Sequence, residues 1–282
     1  MKQLINLIRV RQWYKNLVVF LALFFSGSFL NVDMVWTTVF AFIALCCMSS
    51  AGYIINDLKD IKRDRAHPEK RNRPLASRKI STGLALTIML VLIIISLAIS
   101  FSIGLFFMYS VISLFILTLI YTFILKHVVL ADVLTIATLF VIRAVSGAFA
   151  IDVIISPWLV LVPFFLSLFL SVGKRHADVI MLKGKAKETR ETLKTYTKEL
   201  TNSLMTISTT LLVISYALYS FQSEYNTLLY TLPFALFLIF RFFYLINSGS
   251  DIARHPERVI KDKAMVIGMI VWLAVTVLSI YL

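Results

Sequence analysis

Nine stretches of about 17–25 mostly apolar residues leave this chain little freedom in how it folds. They lie near 17–30 (a short one), 34–55, 82–100, 103–123, 128–150, 155–173, 203–222, 226–246 and 264–282. A backbone surrounded by hydrocarbon has to satisfy its own N–H and C=O groups, and long uninterrupted apolar runs do so as helices. The expected fold is all-α: a polytopic membrane protein of about nine transmembrane helices. A soluble domain is excluded by 59% hydrophobic against 15% charged residues and a mean hydropathy of +0.87. One transmembrane domain over 1–282 is expected, without a separate linker or low-complexity tract.

The distribution of charge supports this division. With the N-terminus inside, the inner segments 1–16, 56–81, 124–127, 174–202 and 247–263 hold 4, 9, 1, 8 and 4 Lys or Arg, which is 26 of the 28 in the chain. The remaining two, Arg143 and Arg241, fall within spans, and the outer loops carry only Asp33, Asp152 and Glu224. The positive-inside rule makes the basic face cytoplasmic, with the main loops there at 56–81, 174–202 and 247–263. A net charge of +13 is thus gathered on one surface, in short loops between spans. That arrangement suits anionic membrane lipids and phosphorylated substrates, and no nucleic acid is expected as a partner. The N-terminal apolar run starts late and lacks a convincing cleavage site, so no removable signal peptide is expected. Cys46 and Cys47 are adjacent within a span and read as packing residues. His67, His127, His176 and His255 are not clustered as a zinc site would require.

The second span runs directly into Asn56, Asp57, Asp60 and Asp64. On a helix the three aspartates stand at i, i+3 and i+7, within roughly 60° of arc on one face, and climb about 10 Å. These four residues are the candidate metal ligands, and the three aspartates are the candidate catalytic group. Around them, in the same segment, stand Glu69 and nine cations: Lys59, Lys62, Arg63, Arg65, Lys70, Arg71, Arg73, Arg78 and Lys79. Hard cations such as Mg²⁺ take one or two carboxylates plus phosphate oxygens and water, while neighbouring Arg and Lys hold the remaining negative charge. The bland alternative is a solvated loop in which acids and bases pair by chance.

The run N-D-x-x-D-x-x-x-D on a chain of about nine spans resembles the first aspartate-rich motif of the UbiA superfamily of membrane prenyltransferases. The stretches RVRQWYKN (9–16), NDLKDIKRDRAHPEKRNRPLAS (56–77), YTFILKHVVLADV (121–133), IRAVSGAFAID (142–152), SLFLSVGKRHAD (167–178) and HPERVIKDK (255–263) narrow the resemblance to its phosphoribosyltransferase branch. Ordinary members of the superfamily carry a second aspartate motif after the sixth span. Here that segment reads GKRHADVIMLKGKAKETRETL, in which Asp178 has no carboxylate three or four residues away and Lys174, Arg175 and His176 stand in front of it. One acidic ladder and one basic cluster suit one metal-bound diphosphate and one separately held phosphate.

The resemblance implies Mg²⁺-dependent transfer of 5-phosphoribose from phosphoribosyl diphosphate to a polyprenyl (decaprenyl-like) monophosphate, at the cytoplasmic face of a bacterial membrane. Arg65, Lys70, Arg71 and Arg73 are candidates for the 5-phosphate, although so many cations in one loop cannot all be ligands. Lys174, Arg175 and Lys126 are candidates for the lipid phosphate, with membrane anchoring as the alternative reading. Arg9, Gln12, Lys15 and Asn16 include i, i+3 and i+7 positions, so one face of an interfacial helix could bring Lys15 and Asn16 to the site; anchoring by Trp13 and Tyr14 fits that segment equally well. Tyr121 and Asp178 complete the substrate-binding set. Asp132, about one turn into the fifth span, is assigned to the site against a structural hydrogen bond, whereas Arg143 is expected to close an internal polar network and Arg241 to be structural. Two other readings stay open: prenyl transfer from a prenyl diphosphate to an aromatic or other small acceptor, and a lipid-phosphate binder or transporter without chemistry. A homo-oligomer is compatible with the sequence.

Overall fold

A computed structural model describes residues 2–66, 70–181 and 195–282, and among these every regular element is helical. Eight helices are long and apolar enough to cross a membrane. They are α1 (Val32–Ala66), α2 (Thr82–Ile103), α3 (Leu105–Phe123), α4 (Ala131–Ile151), α5 (Pro157–Met181), α6 (Lys198–Gln222), α7 (Leu232–Asn247, whose span starts with the 3₁₀ turns Asn226–Thr231) and α8 (Lys263–Tyr281). The protein is an integral membrane protein, and its apolar stretches lie where the sequence puts them. The first stretch differs in form: it is a broken path of 3₁₀ turns at Val10–Val19 and Ser28–Leu30 around the short α-helix Phe20–Phe25. Gly27, with φ 70°, turns the chain between these pieces.

Two compact units divide the chain. The first comprises Met1–Leu125 and Leu139–Ile155, the second Lys126–Thr138 and Ser156–Leu282, so α4 gives its first two turns to one and the rest to the other.

Within the first unit, α1 packs along α2 and α3. Small residues set the spacing. A Cβ on Gly52 of α1 would lie 2.9 Å from the Thr118 methyl of α3, and Ser96 of α2 donates to the Ala44 carbonyl of α1 at 2.8 Å. Gly147 of α4 is tighter still, because a Cβ there would fall 2.0 Å from the Val19 carbonyl oxygen. Backbone cannot move aside as a side-chain tip can, so Gly147→Ala is expected to destabilise the protein by about 1–3 kcal/mol. Gly83→Ala, with open space around it, should be neutral or stabilising by up to about 1 kcal/mol. Unfolding midpoints in detergent check the pair; equal midpoints would remove the close approach.

In the second unit, α5 packs along α6 and α7, and α7 against α8. Its core gathers Phe169, Val172, Met205, Leu212, Phe242 and Ile246. Side chains cap two helix starts, Thr197 accepting from Leu200 N at 3.1 Å and Asp262 from Met265 N at 2.8 Å. Arg241 donates to Asp262 at 2.8 Å and is structural, as expected. Together the guanidinium and the capped amide hold the Asp262 carboxyl below the usual carboxylate range.

Candidate active site

Helix α1 does not stop where its apolar run ends. It continues to Ala66 through the whole acidic motif, so residues read as the start of a loop form the last turns of a helix. Asp57 and Asp64 are buried, with Asn56 and Asp60 half-buried beside them. Arg73 Nη1 donates to Asp57 Oδ1 at 3.0 Å and to Asp64 Oδ2 at 2.7 Å. One guanidinium nitrogen therefore stands between the two carboxylates, in the position of a small cation.

Hydrophobic packing aims Arg73. After the 3₁₀ turn Lys70–Asn72, Leu75 and Ile80 tuck into a cluster with Leu7, Ile54 and Ala85, and Ser77 closes the turn onto the Arg73 carbonyl at 2.8 Å. Arg65 does not point at the ladder: its Nε donates to the Ala76 carbonyl at 3.2 Å and fastens the same turn. Lys70 is half-buried and Arg71 exposed. Glu69 and His67 lie outside the described residues.

A second cation at the ladder is Arg9, whose Nη2 donates to Asp57 Oδ1 and whose guanidinium lies 5.0 Å over the Tyr53 ring. The α-helical spacing used for residues 9–16 does not apply, because the segment is a 3₁₀ helix that begins after Arg9, itself left-handed at φ 53°. Asn16 points inward. Its Oδ1 accepts from Arg143 Nε at 2.8 Å and from Ser49 at 3.3 Å, and its Nδ2 donates to Cys46 Sγ at 3.2 Å. Arg143 also donates to the Leu139 carbonyl at 2.7 Å, the internal polar network expected of it. Lys15 is half-buried on the same segment. Tyr121 is half-buried in the last turn of α3.

A polar cluster in the second unit is built on Asp132, which is fully buried. Arg175 Nε donates to its Oδ2 at 3.1 Å, and the Tyr196 hydroxyl donates to its Oδ1 at 2.8 Å. The same hydroxyl accepts from the amide of Leu130, a residue with φ 67°, at 3.2 Å. Burial, reinforced by the Asp132 carboxylate, pushes the Tyr196 phenol well above its usual value, so it remains a donor at any physiological pH. Arg175 and Asp132, both assigned to substrate from the sequence, thus hold each other. Asp178 accepts from Arg254 at 2.8 Å, His176 bonds Thr201 at 2.8 Å, Lys126 is buried and Lys174 is exposed.

Sequence reasoning put Arg9 on a face that could reach the site but did not pair it with Asp57, and it missed Tyr196 and Arg254. Arg9 had a usable signal in its place at the head of RVRQWYKN; Tyr196 and Arg254 stand in basic segments where nothing singles them out.

The donor set at the ladder fits Mg²⁺. Two of its carboxylates, those of Asp57 and Asp64, converge on one positive centre, and among the described residues no group of three or more His, Cys, Asp or Glu is placed to hold a metal ion, so the three aspartates do not form a cage by themselves. Mg²⁺ is commonly held by one or two carboxylates with substrate phosphates completing its shell.

The family model of the UbiA prenyltransferase family matches residues 16–258. A decaprenyl-phosphate phosphoribosyltransferase of Mycolicibacterium smegmatis is 32% identical over 99% of this chain and 92% of its own length. One from Corynebacterium glutamicum is 30% identical over 99% and 87%. Among solved structures, a UbiA homolog from Archaeoglobus fulgidus bound to GPP and Mg²⁺ superposes with a TM-score of 0.75 at 18% identity, covering 99% of this chain and 100% of that one. A digeranylgeranylglyceryl phosphate synthase gives 0.69 at 22% identity over the full length of both chains. These structures share the fold, and the sequence matches establish the lineage: this chain is a membrane-embedded enzyme of the UbiA prenyltransferase family.

Proposed function

We propose that the protein transfers 5-phosphoribose from phosphoribosyl diphosphate to a polyprenyl monophosphate, releasing diphosphate on the cytoplasmic side of a bacterial membrane. The observation that carries this reading is the state of Asp178. A donor with a prenyl diphosphate would call for a second acidic pair; Asp178 has no carboxylate three or four residues away, and its own is bonded to Arg254 at 2.8 Å. The near full-length similarity to proteins named decaprenyl-phosphate phosphoribosyltransferase supports the same choice.

When held by Asn56, Asp57, Asp60 and Asp64, Mg²⁺ supplies charge stabilisation for the departing diphosphate. Asp57, Asp60 and Asp64 fix the donor against one helix face. Arg73, with Lys70 and Arg71 of the 3₁₀ turn before it, provides positive charge for the remaining phosphate oxygens and the 5-phosphate. As the bond from ribose C1 to the diphosphate breaks, positive charge grows on the sugar ring and negative charge on the leaving group, and preoriented cations stabilise the latter. Lys174 and Lys126 receive the acceptor phosphate, while Arg175 stays paired with Asp132 and Asp178 with Arg254. A phosphate monoester, with a second pKa of about 6, is mostly dianionic at neutral pH, so its attack on C1 needs no general base.

The test is to incubate the purified protein with Mg²⁺, sugar-labelled phosphoribosyl diphosphate and polyprenyl phosphate, and to count label in the lipid fraction. Label in lipid, dependent on both substrates, is expected. An unlabelled lipid fraction, with prenyl transfer from a prenyl diphosphate to an aromatic acceptor instead, would overturn the reading.

A further inference from the structure

The two buried carboxylates of the ladder are already neutralised within the protein. Arg73 holds Asp57 and Asp64, and Arg9 holds Asp57 as well, so two carboxylates face two guanidinium groups. A divalent cation added alone would give this quartet a surplus of positive charge, at contact distances where like charges repel strongly. A diphosphate added alone would meet the carboxylates. The two together stay much nearer neutrality than either alone and leave no like charges in contact: the cation takes the carboxylates while the phosphate oxygens take the guanidinium groups, whose planar fork suits either acceptor.

Arg9 is placed for such an exchange. Its side chain is 21% exposed where that of Asp57 is 2% exposed, so it is the partner able to leave. Its backbone sits in the left-handed region, at φ 53° and ψ 50°, an uncommon state for a residue with a side chain. Anchors on both sides keep it there: Leu7 is fully buried, Ser50 donates to the Ile8 carbonyl at 2.7 Å, and Trp13 donates to Ser50 at 3.1 Å. The Tyr53 ring beneath the guanidinium offers a flat face on which the cation can turn without losing contact.

We propose that Arg9, together with Arg73, is an exchange cation: it holds Asp57 in the free enzyme and passes to a diphosphate oxygen when cation and diphosphate arrive. The proposal rests on the metal-and-diphosphate reading of the ladder. Its consequence is that metal and donor bind with strong mutual dependence, so that metal without donor is poorly held.

Mn²⁺ binding to the purified full-length protein, followed by electron paramagnetic resonance with and without inorganic diphosphate, tests this without turnover. Wild type should bind Mn²⁺ weakly alone and at least about tenfold more tightly with diphosphate present. Arg9→Gln should bind Mn²⁺ alone about tenfold more tightly than wild type and lose most of the diphosphate enhancement. Arg9→Lys, which keeps the charge, should stay near wild type for Mn²⁺ alone. Arg73→Gln, which leaves the anchors of the N-terminal segment untouched, carries the same expectation as Arg9→Gln and serves where that variant does not fold. Unchanged or weaker binding of Mn²⁺ alone by the glutamine variants would make the arginines permanent clamps and overturn the exchange. Asp57→Asn separates the two levels: if it binds Mn²⁺ like wild type, the ladder reading itself fails and the exchange fails with it.

Discussion

Asp57→Ala is expected to lower phosphoribosyl transfer by at least about 10²–10³-fold at saturating Mg²⁺, the scale on which removing one group from a preorganised charge-stabilising site is felt. Asp60→Ala should do the same. The loss should come without unfolding. Arg9, 21% exposed, can turn to water when Asp57 is removed, and Arg73, 27% exposed, keeps Asp64, so neither becomes a buried unpaired charge. Transfer of label to lipid, measured beside a melting curve in detergent, checks both halves. Turnover near that of wild type in either variant would remove the ladder from the chemistry.

Asp132→Ala is expected to fail in the opposite way, through stability. Arg175 and Asp132 are 5% and 0% exposed, so deleting the carboxylate strands a guanidinium that water does not reach and takes the acceptor from the Tyr196 hydroxyl. Breaking a buried pair by removing one partner costs about 3–5 kcal/mol. Asp132→Asn, which retains an acceptor of the same shape, should cost less. Combining Asp132→Ala with Arg175→Met should cost less than the two changes taken separately, since the stranded charge is then gone too. Unfolding midpoints for these variants provide the measurement. An Asp132→Ala protein with a wild-type midpoint would show that the cluster contributes nothing to stability.

These contrasting expectations follow from what could and could not be read in the residues. The apolar stretches announced the spans because a hydrocarbon environment permits so few backbone solutions. The acidic spacing announced its helix face, and α1 does carry the motif to Ala66. What escaped was the pairing. Nine cations surround the ladder in sequence, yet the structure brings Arg73 onto it through the burial of Leu75 and Ile80, and Arg9 through a left-handed turn 48 residues upstream of Asp57. Neither depends on a periodicity. The N-terminal segment misled by resembling an α-helical face, because its 3₁₀ geometry advances 120° per residue and puts Asn16 against Arg143. Tyr196 was invisible because its partner Asp132 lies 64 residues earlier.

Lys59, one of the nine cations, gives the ladder a property beyond charge. It reaches the last carbonyls of α3, Thr122 at 3.0 Å and Phe123 at 3.2 Å, while Gly52 two turns earlier on α1 meets Thr118 of the same helix. Two fastenings at different heights index one helix against the other as teeth index a gear. Between them, at the apolar positions Ile54, Ile55 and Leu58, the number of residues matters more than their identity. An apolar substitution at those three leaves the phase intact, whereas one inserted residue rotates everything beyond it by about 100°. Asp57, Asp60 and Asp64 would then face a different neighbour with every ligand still present. Length drift in this stretch is therefore a change that a descendant of this chain tolerates poorly, and a fixed count of residues from Gly52 to Asp64 is as much a signature of a working ladder as the aspartates themselves.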